Sequence, residues 1–188
     1  MIVVQRWLIG CECSGAVRRA MRVLGVDAWS CDLLDAEDSD EHHIKDDVLN
    51  HLGEGWDGAV FHPPCTRLAV SGARWFSLYR AEQEAALEFV RRLLAAPIEK
   101  IALENPVSVI STHIRKPDQI IQPWQFGHGE TKATCFWLKN LPPLVPTKIV
   151  SGRKPRVHFM SPGPDRSRER SRTLPGIAAA MAAQWTIS

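Results

Sequence analysis

Short apolar runs alternate with amphipathic stretches along most of the chain. The apolar runs are rich in β-branched and aromatic residues and end at glycine, proline or acidic residues, which is typical of buried strands. They predict strands at 2–10, 27–31, 58–62, 100–104 and 133–139. The third run stops at two consecutive prolines, which cannot continue a strand in the middle of a sheet.

The amphipathic stretches predict three helices, at 15–24, at 81–95 and in a terminal segment that starts near 171. Ser14 is the predicted N-cap of the first helix and Gly25 its predicted stop. One face of that helix is apolar and contains Val17, Ala20, Met21 and Leu24. Pro175 falls in the first turn of the terminal helix. The residues of that helix predicted to face the core are Ile177, Met181 and Trp185.

Strands that alternate with helices predict an α/β fold with a doubly wound, mostly parallel sheet. In such sheets, ligands bind beyond the carboxyl ends of the strands. Polar or reactive residues follow four of the predicted strands, at 11–13, Asp32, 63–65 and 104–106. The sequence therefore predicts that these four motifs meet at one edge of the sheet and form one site.

The composition is that of an ordinary globular protein. Of the 188 residues, 45% are hydrophobic and 23% are charged, which fits one domain over 1–188. No apolar run is long enough to cross a bilayer, so no membrane partner is expected. The five cysteines show no C-x-x-C spacing. This pattern disfavours a disulfide framework and a metal site, and it predicts a reducing, cytoplasmic setting.

Positive charge is concentrated near the end of the chain. The segment 142–172 is rich in proline, glycine and arginine and shows little periodicity, so it is predicted to be irregular. Its cations from 153 onward are Arg153, Lys154, Arg156, Arg166, Arg168, Arg170 and Arg172. A basic tract of this kind suits phosphate groups, although a solvated loop explains the same charges.

Cys65 is the residue with the most distinctive predicted chemistry. It follows Pro63 and Pro64 directly, at the point where a buried strand stops. A thiolate is a strong nucleophile, and nearby cations such as His62 and Arg67 would lower its pKa. The alternative is an inert buried cysteine, which is the commoner fate of this residue.

Three acidic residues also follow predicted strands. Glu104 lies in an apolar context, where burial would favour the neutral carboxyl and make it a candidate proton donor. Asp32 could accept hydrogen bonds from ribose hydroxyls, and Asp47 could bind an adenine amino group or cap a turn. Each could equally be an ordinary loop residue.

These motifs, in this order, resemble those of the cytosine-C5 DNA methyltransferases in their short phage or prophage form. The segment CSGAVRRAMRVLG resembles the S-adenosylmethionine turn, and HPPCTRLAVSG resembles the nucleophile loop. LENPVS is similar to the family's Glu-Asn-Val motif, and FGHGETKATCFWL to its Gln-x-Arg-x-Arg strand. SCDLLD and KDDV stand at the ribose and adenine segments, and LPGIAAAMAAQW stands at the last motif.

The resemblance implies a Rossmann-like S-adenosylmethionine-dependent methyltransferase fold and a set of roles. The implied catalytic residues are Cys65, Glu104 and Lys132. The implied S-adenosylmethionine-binding residues are Cys13, Ser14, Gly15, Asp32, Asp47 and Pro63. Contacts with cytosine-containing DNA would come from Arg67, Arg74, Arg153, Arg166, Arg168, Arg170 and Arg172. In the implied reaction, Cys65 attacks carbon 6 of an extruded cytosine and carbon 5 takes the methyl group.

The sequence departs from the family pattern in several places. Val17 and Arg18 stand where the family has glycines, His62 replaces a small residue, and Pro106 replaces valine. The segment 142–172 stands in place of a target-recognition domain, so a protein partner or oligomer could supply recognition. Two alternatives therefore remain open: an enzyme of the same fold acting on a free nucleotide, RNA or with a modified donor, and a catalytically silent relative that binds DNA or a partner.

Overall fold

The computed structural model describes residues 4–156, 159–161, 163 and 166–186. Positions 2 and 3 of the first predicted strand lie outside the described residues. The strands are β1 Arg6–Gly10, β2 Asp27–Asp32, β3 His43–Lys45, β4 Gly58–Phe61, β5 Lys100–Pro106, β6 Gln119–Ile121 and β7 Thr134–Lys139. The α-helices are α1 Ala16–Val23, α2 Arg80–Leu94, α3 Ile110–His113, α4 Arg166–Ser171 and α5 Pro175–Trp185.

The seven strands form one sheet in the order β3-β2-β1-β4-β5-β7-β6. β7 pairs antiparallel with both of its neighbours, and all the other pairings are parallel. The doubly wound, mostly parallel sheet predicted from the sequence is confirmed. The strand order reverses between β1 and β4, and ligand sites of such sheets lie at this point.

Both faces of the sheet are covered. Trp7, Ile9 and Val60 belong to the core cluster that contains the buried sides of α1 and α5. Leu8 and Phe61, which alternate with them, belong to the cluster that contains the buried side of α2. In the terminal helix, the three residues predicted to face the core are all buried: Ile177, Met181 and Trp185.

The five predicted strands and three predicted helices are all present, with shifted ends. β3 and β6 were not predicted, because each has three residues at a sheet edge and a weak apolar pattern. β5 continues to Pro106, two residues beyond its predicted end, because β7 pairs with it up to Thr134. The segment 142–172 was predicted to be irregular throughout, but it contains α4.

Arg18, which stands where the resembled motif has glycine, has a fully buried side chain. Its guanidinium donates to Ser30 Oγ at 2.7 Å and to Asp38 Oδ1 at 2.6 Å. Arg19 also pairs with Asp38. Burial raises the pKa of Asp38, but the hydrogen bonds and charges of the two arginines outweigh it and lower that pKa to about 2.

Asp38→Asn is therefore expected to destabilise the protein by up to about 3 kcal/mol, because the buried Arg18 cation loses its closest carboxylate and keeps the more distant one of Asp40, at 3.6 Å. A depressed carboxyl pKa stabilises the fold above the unfolded value, and this contribution is lost as pH falls towards 2. The acid side of the stability curve should therefore be flatter in the variant. Urea unfolding between pH 2 and 7 measures both effects. Asp35→Asn is the control, because its ion pair with Lys45 is exposed. Equal stability of the two variants would contradict the prediction.

Candidate active site

The structure places the four predicted motifs at the carboxyl edge of adjacent strands. β1, β2, β4 and β5 are neighbours, and Gly10 pairs with both Cys31 and Phe61. Residues 11–13, Asp32, 62–65 and 104–106 therefore all leave or end the sheet at this edge. Strand pairing alone brings together residues that are up to about ninety positions apart in sequence.

Glu104 and Asn105 tie the end of β5 to the segment that follows β4. Glu104 is 9% exposed, and its Oε2 lies 2.8 Å from Nδ1 of His62. The Asn105 side-chain amide donates to the Pro63 carbonyl oxygen at 3.0 Å. These two hydrogen bonds fix the start of the loop that presents Cys65.

Glu104 does not have the pKa expected from burial alone. Burial raises the pKa of this carboxyl, but the hydrogen bond from His62 and the positive charges of Lys132 and His62 together lower it below its usual range. The predicted neutral acid is therefore corrected: in the free protein Glu104 is a carboxylate. The cause is His62, which was expected from the sequence to lower the pKa of Cys65 and instead pairs with Glu104.

Cys65 is half-buried, and its carbonyl accepts hydrogen bonds from the amides of Leu68 and Ala69 at 3.0 and 2.8 Å. Burial and the negative charge of Glu104 raise the pKa of its thiol, and Lys132 and Arg170 oppose this rise without cancelling it. The predicted lowering of this pKa is therefore wrong for the free protein.

The two cations expected to lower the Cys65 pKa are engaged elsewhere. His62 pairs with Glu104, and the Arg67 guanidinium stacks 3.7 Å from the Tyr79 ring centroid. The cations that act on the thiol are Lys132 and Arg170, which come from distant parts of the chain.

Lys132 faces both predicted catalytic groups, since its charge lowers the pKa of Glu104 and of Cys65. Its backbone amide donates to the Gln122 side chain at 3.0 Å, which holds the segment before β7 in place. A small cavity beside it is lined by Glu104, Lys132, Thr134, Thr173, Leu174, Ile177 and Met181. Sequence reasoning did not select Thr173 or Leu174, because only α5 packing brings them to this point.

The turn after β1 differs from the prediction at its N-cap. Gly15, with a φ of 64°, is the N-cap of α1, and Ser14 is not. Glu12 accepts a hydrogen bond from the Val17 amide at 2.8 Å, and Ser14 Oγ accepts one from the Ala16 amide at 3.4 Å. The backbone amides expected to be open to a ligand are thus partly occupied. An acid placed just before a helix start was the available sequence signal.

Asp32 and Asp47 lie close to this turn, since the charges of both raise the pKa of Cys11. Burial raises the pKa of Cys13, and the charge of Asp32 raises it further, so this carboxylate lies close to the turn. Asp32 accepts a hydrogen bond from the Leu34 amide at 3.0 Å. Asp47 caps a short turn by accepting from the Leu49 amide at 2.9 Å, as one of its predicted alternatives required.

The basic segment folds back towards this edge. Arg168 and Arg172 form ion pairs with Glu37, which follows β2. Arg170 is close enough to lower the Cys65 pKa. The α4 helix thus lies near both the turn after β2 and the candidate nucleophile.

The other predicted DNA-binding arginines contact protein groups. Arg153 stacks 3.8 Å from the Trp124 ring centroid, and Arg74 lies 5.2 Å from that of Trp75. Nε of Arg166 is buried and has no hydrogen-bond partner among the described residues.

Within the described part of the chain, no helix is long and apolar enough to span a membrane. Over the same residues, no three histidine, cysteine, aspartate or glutamate side chains are grouped as metal ligands would be.

No protein-family model matches the chain, and no curated protein matches its sequence. A crystal structure of an E. coli protein encoded within a prophage, provisionally described as a DNA modification methyltransferase, matches with a TM-score of 0.50 at 14% identity. The match covers 84% of this chain and 55% of that one, so this chain spans about half the length of the matched protein. The shared sheet and helix arrangement shows that the chain has a Rossmann-like methyltransferase fold.

Proposed function

We propose that this protein transfers a methyl group from S-adenosylmethionine to carbon 5 of cytosine in DNA, through a covalent Cys65 adduct. The observation that carries the proposal is that Cys65, Glu104 and Lys132 lie together at the carboxyl edge of the sheet. Cys65 follows β4, Glu104 lies near the end of β5, and Lys132 lies in the loop before β7. Glu104 and Lys132 both act on the Cys65 pKa, so the three groups lie within electrostatic reach of one another. A nucleophile and a proton-holding group beside it are what addition to a pyrimidine ring requires.

The roles follow from these positions. Cys65 forms a bond to carbon 6, and the electron pair of the ring double bond makes carbon 5 nucleophilic. The Glu104 side chain binds the cytosine ring at nitrogen 3 and at the amino group. Lys132 stabilises negative charge on the thiolate as it forms. S-adenosylmethionine, when bound, supplies the electrophilic methyl group.

Cofactor binding is assigned to the turn after β1 and the ends of the adjacent strands. Cys13, Ser14 and Gly15 form the turn, and Pro63 lies next to it after β4. Asp32 would hold the ribose and Asp47 the adenine. Asp47 already caps a turn, so its role would be to shape this end of the site as well as to contact the base.

A DNA substrate is supported by the cationic and aromatic groups that follow Cys65 in sequence. The pairs Arg67–Tyr79 and Arg74–Trp75 combine positive charge with ring faces in the segment that follows Cys65 in sequence. Phosphate contacts would hold the duplex, and the target base would leave the stack to reach Cys65. The chain would act as one methyltransferase-like domain, with the segment 142–172 or a partner in place of a recognition domain.

A second candidate substrate, a free cytidine nucleotide, is favoured by the position of α4. Arg168 and Arg172 form ion pairs with Glu37, and the charge of Arg170 acts on Cys65, so this helix lies beside the site. A cation beside the nucleophile would also suit the phosphate of a small substrate.

The proposal is tested by incubating the protein with tritiated S-adenosylmethionine and three matched substrates: unmodified duplex DNA, RNA and free cytidine nucleotides. Label on carbon 5 of cytosine in DNA is expected. Label on the free nucleotide alone would support the second candidate. Absence of label on all three substrates would contradict both and leave a catalytically silent binding protein.

Cofactor binding gives a further prediction. Asp32→Ala should weaken S-adenosylhomocysteine binding by roughly tenfold or more, because the ribose would lose a charged hydrogen-bond acceptor. Isothermal titration calorimetry measures the change. Asp35→Ala is the matched control, since Asp35 follows the end of β2 closely but is exposed and pairs with Lys45. Equal affinities of the two variants would remove Asp32 from the cofactor site.

A further inference from the structure

His62 occupies a central position that the proposed mechanism does not use. It follows β4 directly, and its backbone amide donates to the Gly10 carbonyl oxygen of β1 at 2.9 Å. Its Nδ1 lies 2.8 Å from Oε2 of Glu104 on β5. The exposed fractions of the two side chains are 9% and 10%, so this contact is almost fully shielded from water.

The other nitrogen of the ring, Nε2, is buried and has no hydrogen-bond partner among the residues that the structure describes. An unpaired buried polar atom costs about 1–3 kcal/mol, so a purely structural histidine would be a poor choice here. A phenylalanine or a small residue would fill the position without this cost. The placement therefore indicates a role that needs an imidazole.

The charged groups that face His62 are Glu104 from β5, Glu12 from the turn after β1, and Lys132 from the loop before β7. Burial lowers the pKa of His62, and Lys132 lowers it further. The hydrogen bond and charge of Glu104, together with the charge of Glu12, outweigh both and raise that pKa. The pKa of Glu104 is lowered by the same contact.

A raised imidazole pKa and a lowered carboxyl pKa in direct contact describe one pair that keeps one proton through the neutral range. That proton resides on His62 in the free protein. Glu104 alone therefore carries no proton that it could give to a pyrimidine ring. The nearest available proton is on the imidazole of His62.

We propose that His62 and Glu104 act as one acid, in which His62 is a positioning residue that holds the proton delivered through Glu104 to the bound ring. The inference rests on the proposed function for its substrate, a cytosine. The histidine–carboxylate contact itself is a property of the free protein and can be tested without any substrate.

The thiol of Cys65 loses its proton to water, and sulfur forms a bond to carbon 6. The ring double bond shifts its electron pair, and nitrogen 3 takes the proton held by the pair, which leaves neutral His62 beside the Glu104 carboxylate. After methyl transfer, the carbon 5 proton passes to water, the carbon–sulfur bond breaks, the proton on nitrogen 3 returns to the pair, and the thiolate regains a proton from water.

The first arm of the test follows the His62 ring by NMR across pH, with its signals assigned by comparison with His62→Asn. In the wild type, His62 should titrate above the ordinary histidine value. In Glu104→Gln its titration should move to lower pH, because the negative partner is lost while burial remains. A titration that does not change in Glu104→Gln overturns the inference, whether or not the protein methylates anything.

The second arm measures single-turnover methyl transfer across pH. The wild-type rate should pass through a maximum with pH, because the reaction needs the Cys65 thiolate and the protonated pair together. His62→Asn keeps a donor for Glu104 but cannot hold a proton, so the falling limb should disappear. His62→Ala should lose about 10²-fold in rate, and His62→Asn should recover part of it.

The outcomes of the two arms are distinguishable. An unchanged falling limb in His62→Asn overturns the inference while leaving the methyltransferase proposal intact. If the wild type transfers no methyl group to any cytosine substrate, the proposed function fails, and the NMR titration still decides whether the pair holds one proton.

Discussion

Replacing Cys65 with alanine is expected to abolish methyl transfer to cytosine. Without the sulfur, no bond to carbon 6 can form, and carbon 5 stays too electron-poor to attack the methyl group. S-adenosylhomocysteine affinity should change less than about twofold, because the thiol lies on the nucleophile loop and outside the proposed ribose and adenine contacts. Radiolabel transfer and calorimetry on the same preparation measure both quantities.

Cys135→Ala is the matched control for this variant. Cys135 is a buried thiol on β7, and burial and the charge of Glu104 raise its pKa as they do that of Cys65. It has no place in the proposed reaction, so its loss should leave transfer near the wild-type rate. Normal turnover by Cys65→Ala would show that the loop thiol is structural.

The same variant pair allows a direct test of the adduct. DNA that contains 5-fluorocytosine should form a stable covalent complex with the wild type, because fluorine cannot leave as the carbon 5 proton does. Denaturing electrophoresis or mass spectrometry detects this complex. Cys135→Ala should form it and Cys65→Ala should not. Since the free Cys65 thiol has a raised pKa, adduct formation should also accelerate with rising pH on the acid side of the profile.

The second large effect is expected for Glu104→Gln. The amide keeps the size of the side chain and can still accept a hydrogen bond from His62, but it cannot pass a proton to the ring. General acid–base groups contribute about 10²–10⁴-fold, so the rate constant of methyl transfer should fall within this range. Single-turnover kinetics with saturating cofactor isolate this step from product release.

Glu99→Gln provides the control for charge removal. Glu99 is exposed and directly precedes β5, at the opposite end of the strand from Glu104. Its variant should transfer methyl groups at the wild-type rate. A Glu104→Gln rate equal to that of Glu99→Gln would end the assignment of Glu104 to the reaction and, with it, the use of the His62 proton.

The raised pKa of Cys65 and the lowered pKa of Glu104 describe the protonation of the free site. The thiol is protonated, and the nearby carboxylate disfavours its ionisation.

The sequence alone determined which residues meet at the carboxyl edge. Apolar runs with period two or no period marked the strands, and the helices between them required parallel pairing. Parallel pairing brings strand ends to one edge regardless of sequence distance, so Cys65 and Glu104 could be placed together before any coordinates. β3 and β6 were not predicted, because three-residue edge strands are defined by their pairing partners and have little apolar pattern of their own.

Only the tertiary structure decided how those residues behave. Burial predicted a neutral Glu104 and nearby sequence cations predicted an ionised Cys65, yet His62 turns to the acid and both expectations reverse. The hydrogen bond from the Val17 amide to Glu12 and the position of α4 near Cys65 were likewise seen only in the tertiary structure. Protonation depends on charges within a few ångströms, and these distances are set by side-chain packing between β1, β4, β5 and the loops. A linear pattern specifies the strands but leaves those distances undetermined.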